Sequence, residues 1–350
     1  MLVQENIPLA SFTTLGVGGP ARFFAVATSE EHICQALSFA RARSVPFFAL
    51  GGGSNLVVSD AGFPGLVLKV ELPGIRQLDT DGRIAVGAGI EWDAFVQYCV
   101  KHKLEGVEAL SGIPGTTGGA PVQNIGAYGQ EVGESVSTVR AWDTFSDTIV
   151  ELSHDECAFA YRSSVFNTSQ VGRYIVIQTE FALHPHGQPR LKYADLRKHF
   201  TDNANPSLAE VRGAVLDIRK SKGMLVVPDN PDSHSAGSFF RNPVISRYEF
   251  AVMKKKARDM GIISTSETIP YFDVSEGNVK LAAAWLIEHS GFYKGYTHGR
   301  AGISEKHALA LVNRGGAQAS EIVSLKKLIE EKVTASFGVT LQPEPVFIGF

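Results

Sequence analysis

Cysteine is scarce: 350 residues carry three, Cys34, Cys99 and Cys157, an odd number with no CxxC pair. That excludes a disulfide frame or a zinc knuckle and points to a reducing compartment. An excess of one charge is missing too. Lys and Arg number 33 against 36 Asp and Glu, for a formal net charge of −3. Such a surface has no global attraction to nucleic acid or anionic lipid, so a polyanionic ligand must be held by local groups. No apolar run approaches the roughly 20 residues that span a bilayer. The opening MLVQENIPLASFTTLGVGG lacks the basic start and apolar core of a signal peptide. A cytoplasmic protein with neither nucleic-acid nor membrane partners is expected. The Walker pattern and HExxH are absent, and the ten histidines show no ligand spacing, so no metal site is expected. Internal repeats and low-complexity segments are also lacking.

Glycine is plentiful, at 35 residues. One cluster is Leu50-Gly51-Gly52-Gly53-Ser54-Asn55, after an apolar run, Val45 to Leu50, that predicts a buried strand. Before that run, Ile33, Ala36, Leu37 and Ala40 fall at i, i+3, i+4 and i+7 and predict a helix over 30–43. The second cluster runs from Ser111 to Gly129, 19 residues too rich in Gly and Pro for regular helix or strand. It follows a second amphipathic helix, 92–103. Strands are predicted at 137–142, 174–182, 308–312 and 346–348. Helices are predicted at 208–220, 247–259, 279–289 and 319–335, with a Pro- and Asp-rich linker at 228–232. At 44% hydrophobic and 20% charged, the chain is long enough for two or three domains.

Gly16-Val17-Gly18-Gly19-Pro20-Ala21 satisfies GxGxxA on paper. A Rossmann turn must follow a strand and open a helix. Here polar Ser11 to Thr14 precede it and the strand-like Arg22 to Val26 follow, which excludes that site. The two long clusters are stronger. Glycine loops let backbone N–H groups converge on an anion and let a pyrophosphate approach closely. A single cluster would ordinarily be a tight turn; two in one half of the chain favour a dinucleotide. Neither contains His or Cys, so a flavin held there has no covalent link through these loops. Three further motifs have plain explanations when taken alone. Tyr161-Arg162 reads as an aromatic with a snorkelling neighbour, Ser238 in Gly237-Ser238-Phe239-Phe240 as a turn or cap serine, and Glu344 between Pro343 and Pro345 as a solvated turn residue.

Taken together and in order, the segments LGGGSNLVVSD, SGIPGTTGGAPVQNIGAYGQEV, FAYRSSVF, AGSFFRNPV, KLAAAWLIEHSGFYKG and QPEPVFIGF resemble the UDP-N-acetylenolpyruvoylglucosamine reductase family over essentially the whole chain. The resemblance implies an α+β protein with the FAD-binding fold of the vanillyl-alcohol oxidase type. It implies two α+β subdomains, residues 1–68 with 337–350 and residues 69–225, plus a C-terminal α+β substrate domain, 226–336. It further implies non-covalent FAD, NADPH as co-substrate, and reduction of UDP-N-acetylglucosamine enolpyruvate to UDP-N-acetylmuramate, a peptidoglycan precursor.

Residue by residue, the resemblance gives catalytic roles to Arg162, Ser238 and Glu344. Arg162 and Glu344 would stabilise the enolate formed when hydride reaches C3, Glu344 through its acid form, and Ser238 would protonate C2. FAD contacts would come from Leu50, Gly51, Gly52, Gly53, Ser54, Asn55, Ile113, Pro114, Gly115, Thr117, Gly118, Gly119, Gln123, Asn124, Gly126, Ala127, Tyr128 and Tyr161. Substrate contacts would come from Tyr193, Arg219, Lys222, Asn242 and Lys294, with Tyr193 on a capping loop. Ala194 stands where that subclass has Gly, and Pro270-Tyr271-Phe272 departs from the pattern. Two alternatives stay open: another non-covalent FAD oxidoreductase of this fold, acting on an alcohol or lactone, and a nucleotide-sugar binding protein without catalysis. A monomer is the default expectation.

Overall fold

The apolar run before the first glycine cluster is a strand, Phe47–Leu50, preceded by α1, Glu30–Ala42. Ser29 caps α1 by accepting the His32 amide, with Glu30 and Glu31 in the first turn. The computed structural model describes residues 1–201, 205–227, 230–264, 266–275 and 277–350, so Pro228 and Asp229 of the predicted linker lie outside the described residues. The chain forms two units.

The first unit comprises Met1–Ile7, Ala21–Gly53 and Phe63–Ser221. One of its sheets has the order Val3–Pro8, Pro20–Ala27, Phe63–Val70, Phe47–Leu50. Strands 20–27 and 47–50 both run parallel to 63–70. Parallel strands need crossover connections, and α1 carries the chain from 20–27 to 47–50, which flank 63–70 on its two sides. Its buried face, Ile33, Ala36, Leu37 and Ala40, joins Phe23, Ala25, Leu66 and Leu68 in one core.

The second sheet of this unit is antiparallel, ordered Thr148–Ser153, Val136–Asp143, Tyr174–Ala182, Arg83–Gly87, Ile75–Gln77. Against it lies α2, Trp92–Lys101, whose Trp92 and Phe95 rings pack on Phe181 with centroids 6.0 and 4.6 Å away. Trp92 Nε1 also donates to the Leu110 carbonyl at 3.0 Å, tying α2 to the start of the second glycine loop. Short α3, Ala194–His199, and α4, Leu208–Ser221, complete the unit. Leu196, Val211, Ala214 and Val215 form a small separate core with Ala109 and Tyr128.

The second unit comprises Pro8–Pro20, Ser54–Gly62 and Lys222–Phe350. A capping box of Ser246 and Glu249 opens α5, Arg247–Asp259. The predicted helix over 279–289 is shorter than expected. Asn278–Leu281 is the central strand of an antiparallel sheet, between Val244–Ser246 and Tyr271–Ser275, and only Ala283–Glu288 is helical (α6). Val279 and Leu281 are fully buried on alternate positions, so a period of two wins once two neighbours use the backbone. The strand predicted at 308–312 lies at Leu311–Asn313, paired with Ala301–Ile303. Helix α7, Ala319–Phe337, buries Ile322, Leu325, Ile329 and Val333 and ends at Gly338 in the left-handed conformation. The terminal strand Val346–Ile348 pairs in parallel with Leu56–Val58.

Gly19 of the rejected GxGxxA segment sits against the Asp60 carbonyl, and its amide donates to Ser59 O. The segment opens strand 20–27, not a helix. Among the described residues no helix is long and apolar enough to cross a membrane.

Candidate active site

In the first unit the two glycine clusters meet backbone to backbone. A Cβ on Gly52 would lie 2.5 Å from Gly115 Cα, and one on Gly51 would lie 3.0 Å from Thr116 Oγ1. Gly118 is equally crowded, 2.5 Å from the Ala88 methyl. Gly53 and Gly115 have positive φ, 63° and 129°, where a side chain is strained. Clusters some sixty residues apart therefore form one cradle that side chains would fill.

The cradle is stitched from behind. Thr117 Oγ1 donates to Gly87 O at 2.6 Å, and the Gly118 amide donates to Ala88 O. Asn124 uses its whole amide: Nδ2 donates to Glu131 and to Ala160 O, and Oδ1 accepts the Gly133 amide. Within the second glycine cluster two buried polar side-chain atoms, Thr116 Oγ1 and Gln123 Nε2, lack a partner among the described residues. An unsatisfied buried polar atom is costly. Two of them beside a glycine cradle fit a polar dinucleotide that would satisfy them. Thr116 is absent from the sequence candidates, whereas Thr117, which is among them, uses its hydroxyl on the strand behind.

Asn124, Tyr128 and Arg162 all have left-handed φ, at 42°, 50° and 54°. Such strain in non-glycine residues collects at functional sites. Arg162 lies in a tight turn closed by the Ala160–Ser163 bridge, donates to Gly126 O at 2.8 Å, and lies near the Tyr161 ring. The Tyr193 ring packs edge-on against buried Tyr128, 5.7 Å between centroids. Arg219 is 6% exposed and donates through Nε to Gly112 O at 3.1 Å. Burial pulls its pKa down, opposed by Tyr128 and Asp93. The remaining contact candidates of this unit, Leu50, Ile113, Pro114, Gly119 and Ala127, lie along the same two loops.

In the second unit the backbone brings Ser238 and Glu344 together. The Glu344 amide donates to Phe239 O at 2.9 Å, and the Arg241 amide donates to Gln342 O at 3.0 Å. Phe239 and Phe240, next to Ser238, are fully buried and fix the segment from below. Asn55 holds the far side, its Nδ2 donating to Glu344 O at 3.2 Å and its carbonyl accepting the Val346 amide. The neighbouring Ser54 carbonyl faces the Thr14 hydroxyl at 3.5 Å. Asn242 Oδ1 accepts the first amide of α6, from Ala283, at 3.0 Å.

Lys222 and Lys294 share a neighbour that sequence reading misses, His307. Its Nδ1 accepts the Leu309 amide at 3.0 Å, and Leu309 O accepts the Phe239 amide at 2.7 Å. That leaves the Nε2 proton as the donor of the neutral ring. Burial, then the Lys222 and Lys294 charges, press its pKa down to about 4. The imidazole is therefore neutral at pH 7, beside two cations that suit an anionic ligand. Among the described residues no group of three or more His, Cys, Asp or Glu could hold a metal ion.

The chain is similar to known proteins along its whole length. Residues 21–153 match an FAD binding domain, and residues 229–348 match the UDP-N-acetylenolpyruvoylglucosamine reductase C-terminal domain. The UDP-N-acetylenolpyruvoylglucosamine reductase of Thermobifida fusca is 45% identical over 352 residues, covering 99% of this chain and 98% of that one. The chain belongs to the UDP-N-acetylenolpyruvoylglucosamine reductase family. The enzyme of that name from Cutibacterium acnes is 39% identical, over 99% of this chain and 90% of its own. The crystal structure of UDP-N-acetylenolpyruvylglucosamine reductase (MurB) from Thermus caldophilus aligns with a TM-score of 0.64 at 25% identity, over 99% of this chain and 100% of that one. As a member of this reductase family the protein is an FAD-dependent oxidoreductase, an α+β protein with an FAD binding domain.

Proposed function

We propose that this member of the family reduces UDP-N-acetylglucosamine enolpyruvate to UDP-N-acetylmuramate with NADPH, in peptidoglycan precursor synthesis. The observation that carries the reading is the backbone hydrogen bond from the Glu344 amide to the carbonyl of Phe239, the residue after Ser238, in a chain that also builds the glycine cradle. A bare nucleotide-sugar binding protein needs no such cradle, and a flavin oxidase of alcohols gives no reason for that pair.

FAD bound in the cradle would be held by the backbone of Gly51 to Gly53 and Ile113 to Gly119, with Thr116 and Gln123 meeting its polar groups, and would pass hydride from NADPH to C3 of the enolpyruvyl group. Arg162 is the fixed cationic fork for the substrate carboxylate, where the charge left at C2 delocalises as an enolate. Its left-handed backbone and its bond to Gly126 O pre-set it for that task. Ser238 gives its proton to C2, which a weakly acidic hydroxyl can do because the carbanion is strongly basic. Glu344 assists in its acid form, since a bare carboxylate would repel the enolate. Lys222 and Lys294 hold the diphosphate, Asn242 and Arg219 complete the substrate contacts, and Tyr193 caps the sugar nucleotide. On this reading residues 1–68 with 337–350 and residues 69–225 serve FAD, residues 226–336 serve the substrate, and the enzyme works as a cytoplasmic monomer.

The test is the visible spectrum of the anaerobic protein, before and after NADPH and then after the enolpyruvyl sugar. The flavin band should bleach with NADPH and return only with that sugar. Bleaching without return would discard the substrate and keep the flavoprotein.

A further inference from the structure

Arg212 and Arg219 stand seven residues apart on α4, so two helical turns bring them to one face. In the first turn of α2, Asp93 meets Arg212 through two bonds, 2.6 Å from one terminal nitrogen to Oδ1 and 2.7 Å from the other to Oδ2. Bidentate pairs of this kind are the strong, geometrically specific ones. The pair is largely shielded, the Arg212 side chain 14% and the Asp93 side chain 29% exposed. The same Asp93 Oδ1 accepts the Gly112 amide at 2.5 Å, while Arg219 Nε donates to the Gly112 carbonyl at 3.1 Å. Both backbone polar groups of Gly112 are thus held by charged side chains from two helices. Gly112, at φ +70°, leads directly into the stretch whose Gly115 abuts Gly52.

We propose that Asp93, Arg212 and Arg219 form a clamp on Gly112 that fixes the second glycine loop in its FAD-binding conformation before the cofactor arrives. The proposal rests on the reading of the cradle as the FAD site. Asp93 and Arg212 are positioning residues: they reach the cofactor only through the loop. Glycine loses more conformational freedom on ordering than any other residue, so a loop fixed in advance binds more tightly than one ordered by its ligand. Burial alone would raise the Asp93 carboxyl. Arg212, the Gly112 amide and the Arg219 charge outweigh it and hold the group below its ordinary value, ionised in its clamping form.

Charge makes the proposal separable from a simple field effect. Two guanidiniums and one carboxylate leave one net positive charge, so Asp93→Ala adds positive charge near an anionic cofactor. A field effect alone would then tighten FAD, whereas loss of the clamp weakens it. The experiment is the equilibrium FAD affinity of the full-length holoprotein, read from flavin fluorescence on serial dilution, with the unfolding midpoint of each flavin-stripped variant alongside. Asp93→Ala should weaken FAD at least tenfold with little change in that midpoint. The double variant with Arg212→Gln should be no weaker than Asp93→Ala, because the two act as one unit. FAD affinity at or above wild type in Asp93→Ala overturns the clamp and leaves the FAD site standing. A lower midpoint with unchanged affinity also overturns it, since that is a purely structural role. If Asp93→Ala does not fold, Arg212→Gln carries the test: a severalfold loss supports the clamp and wild-type affinity overturns it. Failure of the wild-type chain to bind FAD would instead sink the cradle reading itself.

Discussion

The glycine cradle and the Ser238–Glu344 segment are built on opposite plans. In the cradle, backbone meets backbone and function depends on missing side chains: a Cβ on Gly52 would fall 2.5 Å from Gly115 Cα. At Ser238, by contrast, buried Phe239 and Phe240 and two backbone hydrogen bonds to residues 342–344 hold side chains in place. A Cβ on the adjacent Gly237 would meet nothing within 4 Å. The first plan suits a cofactor that must approach the chain closely; the second suits a proton donor that needs a fixed address. Substitutions in the two regions should therefore separate binding from chemistry.

The largest effect is expected at Ser238. Ser238→Ala should bind FAD and accept hydride from NADPH at wild-type levels. Return of the flavin band with the enolpyruvyl sugar should slow by about 3 kcal/mol of barrier, on the order of a hundredfold or more. Stopped-flow spectra of the two half-reactions measure this directly, and a wild-type second half-reaction would remove Ser238 from the mechanism. Gly52→Ala should do the reverse. Overpacking of this kind costs roughly 1–3 kcal/mol, or about 5- to 150-fold in FAD affinity, with chemistry intact once flavin is loaded. Gly237→Ala is the matched control. It has room but a φ of +70°, so it should lower stability by about 1 kcal/mol and leave FAD affinity alone.

The comparison also explains what the sequence reveals. Helices and strands with a clear apolar period, such as 30–42, 174–182 and 247–259, lie within a residue or so of the spans predicted. Val279 fits two periods, alternating with Leu281 as in a strand and falling at i, i+4 and i+7 with Ala283 and Leu286 as in a helix. Only pairing with strands on both sides decides for the strand. Within the glycine loops no period operates. Whether Thr116 or Thr117 faces the cradle depends on which hydroxyl Gly87 O captures, and that partner is 30 residues away. The motifs therefore locate the cradle without orienting each side chain in it. His307 is hidden for a similar reason, one histidine among ten until the fold sets Lys222 and Lys294 beside it.

Thr116 sharpens the comparison by a smaller amount. Its buried hydroxyl has no partner among the described residues, so Thr116→Val should stabilise the flavin-free protein by about 1 kcal/mol. If FAD satisfies that hydroxyl, the same change should weaken FAD about fivefold. Opposite signs in the thermal midpoint of the flavin-free form and in FAD affinity would mark Thr116 as a ligand. Equal signs would return it to the packing of the loop.

The smallest effect separates the regions by pH. The cradle is backbone, whereas the second unit keeps a neutral histidine beside two lysines. Burial, then Lys222 and Lys294, lower the His307 pKa from 6.5 to about 4. The unfolded chain therefore binds a proton below pH 6.5 that the folded chain refuses until pH 4. The resulting contribution to stability is complete above pH 6.5 and is lost progressively as pH falls toward 4. Between pH 7 and pH 6 the loss is about 0.7 kcal/mol. Replacing His307 by Gln, which can still accept the Leu309 amide, should flatten that part of the curve of thermal midpoint against pH and leave the curve above pH 7 unchanged. An identical slope in the variant would mean that the ring takes up a proton as readily in the folded chain as in the unfolded one, so that burial and the two lysines do not hold it neutral.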